Sequence, residues 1–350
     1  MNSRPKYPLL ILLFATAIPA CGQVVPMPDA PPESATPPSA VVNPEQTISP
    51  QTPTFRVTTN LVNLYFVARD PHGKLAPDLA ANDCAVYEDH AKQRLQNFTA
   101  HSDLPLTLGI LLDTSLSQQR VLPTEQQAGA AFLRRILRSK DEAFLISFDV
   151  DVTMLADFTS NPGELKRAMD AAQINSNTDN YANGTVPSIG TPRGTLLYDA
   201  VYLAAEEKLN HETGRKALIV LTDGVDEGSR KNLETAIETA QKADAIVYVL
   251  LIRDSAAEGV MDDPGAGPMH RLAQSTGGQV FPIGSNGKKM QTAFDEIESE
   301  LRTQYQASYT PTNSARDGAY RHIRVECQQG GKNLRVQARQ GYYALPPPQP

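Results

Sequence analysis

From residue 106 to residue 112 the chain reads Leu-Thr-Leu-Gly-Ile-Leu-Leu, and the run stops at Asp113, with Ser115 and Ser117 at alternate positions beyond it. A continuous apolar run of this length is the pattern of a strand buried on both faces, as in a parallel sheet covered by helices on each side. The feature constrains the chain to an α/β architecture, and in open sheets of that kind ligands bind outside the carboxyl ends of the strands. Asp113, Ser115 and Ser117 stand at such an end. Alternation puts their side chains on one side of the turn. One carboxylate and two hydroxyls are hard oxygen ligands suited to Mg²⁺ or Mn²⁺. Taken alone, the triplet also reads as a helix cap, since Asp, Thr and Ser are all good N-cap residues.

Two later stretches bear on that choice. Residues 193–199 place Thr195 in a Gly-containing loop just before a predicted helix, and residues 216–224 form a second buried-strand run ending in Thr222-Asp223-Gly224. This spread of motifs resembles the von Willebrand factor A domain with its metal-ion-dependent adhesion site, as found in bacterial, acidobacterial-type proteins with A-related domains. The resemblance implies a doubly wound, mostly parallel sheet. It implies one divalent ion, Mg²⁺ or Mn²⁺, surrounded by Asp113, Ser115, Ser117, Thr195 and Asp223. The family often has Gly between the two serines, where this chain has Leu116, a position that supplies no ligand atom. By the same resemblance, an Asp or Glu of a protein partner completes the ion's shell, and the last helix of the domain shifts as the loops rearrange.

The flanks carry an address and a second module. Arg4 and Lys6 precede an apolar run over residues 9–18, too short to span a bilayer, and small residues follow at 19–23. Residues 1–22 therefore read as a secretory signal peptide. Residues 18–21 also resemble a bacterial lipoprotein box, which would place a lipid anchor on Cys21; Pro19 departs from that pattern, and cleavage after Gly22 would discard the cysteine. Both routes lead to an exported protein, in the periplasm, at the cell surface or secreted. Of the three cysteines, Cys84 and Cys327 remain. They either form a disulfide between distant elements or are two small buried apolar side chains. The second is the expectation, because sequence alone does not bring their Cα atoms within bonding distance.

Residues 23–53 are rich in Pro, Ser, Thr and Ala and poor in large apolar residues, which predicts a disordered tether. Residues 54–102 read as an N-terminal β module, with a hairpin at 89–92 and a single strand over 93–98. Residues 103–302 alternate strand and helix as a doubly wound α/β domain requires. Helices are predicted at 124–137, 162–172, 196–209, 233–243, 269–276 and 290–305, and an antiparallel edge strand at 152–158. Residues 303–345 return to β and are expected to join the N-terminal strands in one β-sandwich-like module; 346–350 is a Pro-rich tail. The 55–99 stretch and the ending Arg339-Gln-Gly-Tyr-Tyr are also similar to the same group of A-domain proteins. Residues 175–192 are read either as the rim of the site or as an insertion without contacts, and Asp226 and Glu227 as solvated charges in preference to contacts with a water of the metal.

A net charge of −7, from 32 basic and 39 acidic residues, argues against a nucleic-acid or anionic-membrane partner. Aspartyl phosphatases end a similar strand in Asp-x-Asp, but the second acid is Ser115 here, so the general acid is missing. There is no Gly-x-Ser-x-Gly elbow, no clustered His/Cys spacing for zinc and no Gly-rich nucleotide loop. The reading is an exported, non-enzymatic binding module; an envelope scaffold whose loops a metal stiffens is the alternative. The sequence assigns no oligomeric state.

Overall fold

The 106–112 run is the heart of strand β5 (Leu106–Asp113), buried at every residue. Parallel neighbours flank it on both edges, β6 (Glu142–Phe148) and β8 (Arg215–Thr222). The structure, a computed structural model, describes residues 61–100, 103–175, 194–252, 264–284, 286–344 and 346. The signal peptide, Cys21, the tether and nearly all of the 175–192 loop lie outside the described residues.

With β7 (Val152–Thr159), β9 (Ala245–Leu251) and β10 (Val280–Pro282), the sheet has the order β10-β9-β8-β5-β6-β7. Only β6–β7 is antiparallel, so β7 is the expected antiparallel edge. Helices α1 (Leu122–Ile136), α2 (Pro162–Ala171) and α6 (Gly287–Thr303) cover one face, and α3 (Leu197–Leu203), α4 (Leu233–Lys242) and α5 (Ala266–Thr276) the other. The doubly wound α/β class read from the sequence is the one observed. Alternation along β5 sends Leu108, Ile110 and Leu112 into one core, with Phe132 and Phe294, and Leu111 into the other, with Leu197 and Val201. Gly109 faces the second core, where a Cβ would lie 2.5 Å from both Leu218 Cδ2 and Phe144 Cζ. Chain order reverses at β5: β6 is added on one side and β8 on the other. The crevice at the carboxyl ends of β5 and β8 is therefore the topological switch point, where ligands bind in open α/β sheets.

Local signals set the helix ends. Asn161 Oδ1 accepts the N–H of Gly163 at 2.9 Å, with Pro162 at the first helical position. Gly277 ends α5 with φ of +88°. The predicted 196–209 helix is corrected in its second half. Beyond α3 the chain widens into a π-helical stretch, Ala204–Leu209, which keeps Ala204, Ala205 and Leu209 buried.

The remaining strands build two antiparallel sheets around a shared core. One has the order β14 (Arg335–Ala338), β1 (Val62–Arg69), β11 (Tyr305–Tyr309), β4 (Leu95–Thr99). The other has β13 (Lys332–Asn333), β12 (Tyr320–Gln329), β2 (Cys84–Glu88), β3 (Ala91–Gln93), with β15 (Gly341–Tyr343) also on β12. Leu64, Phe66, Val86, Tyr305, Tyr309 and Ile323 fill the space between them. Segments far apart in sequence thus make one sandwich-like layer pair, as expected. The β2–β3 hairpin turns at Asp89 and His90, both with positive φ, which matches the right-handed twist of the strands.

Two expectations are corrected. The 93–98 strand is broken at Arg94, because β3 pairs with β2 while β4 pairs with β11 in the other sheet. The cysteines are not separate thiols: Cys84 and Cys327 are joined by a disulfide. The reason is register, since antiparallel pairing of β2 with β12 sets the two residues directly opposite one another.

Only Gln304 separates α6 from β11. The junction is pinned by Arg69 of β1, whose guanidinium reaches Glu296 at 2.8 Å and Glu300 at 2.6 Å on α6. Glu300 is fully buried and also accepts from Gln279 and Gln337. Burial raises its carboxyl above the usual range, and the Arg69 guanidinium opposes that shift.

Candidate metal centre

Asp113 is the last residue of β5 and is 0% exposed. Its Oδ1 accepts the backbone N–H of Ser115 at 3.0 Å and the Ser115 hydroxyl at 2.5 Å; its Oδ2 accepts the Thr222 hydroxyl at 2.7 Å. Ser115 Oγ lies 3.0 Å from Ser117 Oγ. The path runs outward, from buried Asp113 through half-buried Ser115 to exposed Leu116 and Ser117. Three of the five expected ligands are thus strung in contact at the open mouth of the switch point.

Asp223 follows β8, and its Oδ1 accepts the N–H of Val225 at 3.0 Å. Gly224, with φ of +84°, turns the chain there, where a Cβ would approach Gly265 O to 2.9 Å. Thr195 is 8% exposed and pairs through its backbone with Glu227, four residues beyond Asp223. Its neighbour Leu196 donates its N–H to Asp149 O at 2.8 Å, and Asp149 Oδ2 accepts the Thr114 hydroxyl at 2.6 Å. The three loops that carry the five residues are therefore laced together by direct hydrogen bonds. Burial pushes the Asp113 carboxyl up to about 7; hydrogen bonds from Ser115 and Thr222 oppose that shift, and the charge of Asp223 adds to it.

The donor set fits a small hard cation. Adjacent ligands on an octahedral Mg²⁺ at about 2.1 Å lie about 3 Å apart, the separation found between the two serine hydroxyls. Two carboxylates match the charge of a divalent ion, and hydroxyls leave room for water. Among the described residues no group of three or more His, Cys, Asp and Glu side chains is placed to hold a metal, so the oxygens of Ser and Thr would have to complete the shell.

Several participants carry no motif. Thr222 steadies Asp113 and also accepts the N–H of Gly224 at 3.0 Å. Asp226 is corrected from a solvated charge to an anchor: its Oδ1 accepts the N–H of Tyr198 and the hydroxyl of Ser229, at 3.0 and 2.6 Å. Glu227 keeps an exposed side chain, as expected of a solvated charge, while its backbone holds Thr195. Glu125, on the inner face of α1, is 0% exposed. Its one sequence signal is an acid at a position where the helix is otherwise apolar.

No family model matches the chain, and no curated protein matches it. Solved structures do. The conserved hypothetical protein BatB of Bacteroides thetaiotaomicron is 19% identical over 57% of this chain and 100% of its own, with a TM-score of 0.43. The proximal thread matrix protein 1 of the mussel byssus, solved with a zinc-occupied MIDAS motif, is 17% identical over 59% of this chain and 48% of its own, with a TM-score of 0.43. The vWF domain of the type V pili tip protein Mfa5 from Porphyromonas gingivalis is 12% identical over 57% of this chain and 96% of its own, with a TM-score of 0.42.

Proposed function

We propose that this chain is an exported binding module that takes a divalent cation, Mg²⁺ or Mn²⁺, at Asp113, Ser115, Ser117, Thr195 and Asp223. It uses the ion to capture a protein partner through an Asp or Glu side chain. The observation that carries the reading is the contact series Asp113–Ser115–Ser117, with its 3.0 Å hydroxyl pair, at the solvent-open switch point of the sheet. When bound, the ion would supply an electrophilic centre with coordination positions left to water, which a carboxylate from outside can take. The chain's own residues position that centre. Thr222 orients the Asp113 carboxylate, the Thr195–Glu227 pairing fixes the loop before α3, and Leu116, 63% exposed beside the serines, offers an apolar contact to whatever docks. Export is supported by the signal-like residues 1–22 and by the Cys84–Cys327 disulfide, a bond that persists in oxidising compartments. Titration calorimetry with Mg²⁺ and Mn²⁺, run beside Asp113→Asn, tests the reading. Binding by the wild type and none by the variant is expected; equal binding by both would remove the site. Ion binding with no ion-dependent partner would favour the scaffold instead.

A further inference from the structure

Helix α1 carries one acid on its buried face. The buried residues run Leu122, Glu125, Ala128, Gly129, Ala130, Phe132, Leu133 and Ile136. Both carboxylate oxygens of Glu125 are buried without a hydrogen-bond partner. Gln118, 1% exposed, donates its Nε2 to Ser117 Oγ at 3.3 Å and leaves Oε1 without a partner. Successive turns connect the two residues. Val121 N–H meets Gln118 O at 3.0 Å, and Glu125 N–H meets Val121 O at 3.1 Å. Through Gln118, which is bonded to Ser117, this path ties Glu125 to the loop that carries the two serines.

This set is out of balance. Buried acceptors without a donor are rare in folded proteins, and a buried acid without a counter-charge is strongly disfavoured. No donor among the described residues reaches the Glu125 carboxylate. The hydroxyls of Thr222 and Ser115 go to Asp113, and the Gln118 amide goes to Ser117. A hydrated divalent ion brings both missing parts, positive charge and water O–H groups.

We propose that Glu125, together with Gln118 Oε1, is an outer member of the metal centre, accepting hydrogen bonds from water bound to the cation. The proposal rests on the reading of Asp113, Ser115, Ser117, Thr195 and Asp223 as the ligands. Glu125 is then a positioning residue. It holds water on the ion and leaves the ion itself to the hydroxyls and the two aspartates. It also adds a negative charge that tempers the ion's pull on a partner's carboxylate.

Mn²⁺ titration calorimetry and thermal melting in EDTA, on wild type, Glu125→Gln, Glu125→Met and Asp113→Asn, test this. Gln keeps the shape and removes the charge; Met suits the apolar face. Both Glu125 variants are expected to bind Mn²⁺ about 10–100-fold more weakly, while melting in EDTA at or above the wild-type temperature. Unchanged affinity in both Glu125 variants, with binding lost in Asp113→Asn, overturns the assignment and leaves the ligand set standing. A matching fall in metal-free melting temperature in both variants assigns Glu125 to the fold alone and also overturns it. Absence of Mn²⁺ binding by the wild type overturns both readings.

Discussion

At the scale of the residue, Asp113 combines full burial with two oxygens already engaged by Ser115 and Thr222. Its folded pKa lies above its unfolded one, so the fold penalises the ionised form. The penalty is absent below about pH 4, grows as pH rises toward 7 and is complete above 7, amounting to a few kcal/mol. Metal-free protein is therefore expected to melt higher at about pH 5 than at about pH 8, and saturating Mn²⁺ to shrink that difference, because the ion favours the ionised carboxylate. Thermal melts in EDTA and in Mn²⁺ check both; a metal-free melting temperature that climbs from pH 5 to pH 8 would contradict the assignment. Thr222 makes a separate test. Thr222→Val removes the hydroxyl donor from a buried oxygen, which is expected to destabilise the fold by about 1–3 kcal/mol and to weaken Mn²⁺ binding, read by denaturant unfolding and calorimetry.

At the scale of the element, β5 decides the architecture and was legible at once, because burial on both faces leaves a strand no polar alternation. Its packing was not legible. Gly109 reads as a weak point in a strand, yet Phe144 and Leu218 occupy the space beside it. Gly109→Ala is expected to cost about 1–3 kcal/mol by overpacking, measured as a lower denaturant midpoint. The ligand candidates were readable because they cluster in short motifs after strand-like runs. Thr222, Gln118 and Glu125 were not, since each acts through a contact made in three dimensions. Even so, Glu125 left a trace, an acid in phase with Leu122, Phe132 and Ile136. The break at Arg94 had no trace at all. No Gly or Pro interrupts residues 91–99, and only the partners of β3 and β4 tell that they belong to different sheets. The disulfide was hidden for the same reason, as register between β2 and β12 is a tertiary fact.

At the scale of the whole molecule, two fastenings join distant parts of the chain. Arg69 neutralises Glu300 across 231 residues of sequence. Arg69→Met strands that buried acid and is expected to cost about 3–5 kcal/mol, seen as a lower melting temperature near neutral pH. The disulfide spans 243 residues. Cys84→Ser with Cys327→Ser is expected to lose about 2–5 kcal/mol, with calorimetric Mn²⁺ binding retained below the new melting point. The placement of that bond also governs how the molecule carries load. Tension applied at residues 61 and 344 runs along β1 to Cys84, crosses the sulfur bridge to Cys327 and leaves through β15. The covalent path bypasses residues 85–326, and with them the six-stranded sheet and Asp113. Pulling on the two flanks would strip strands from the sandwich while the binding face stayed slack.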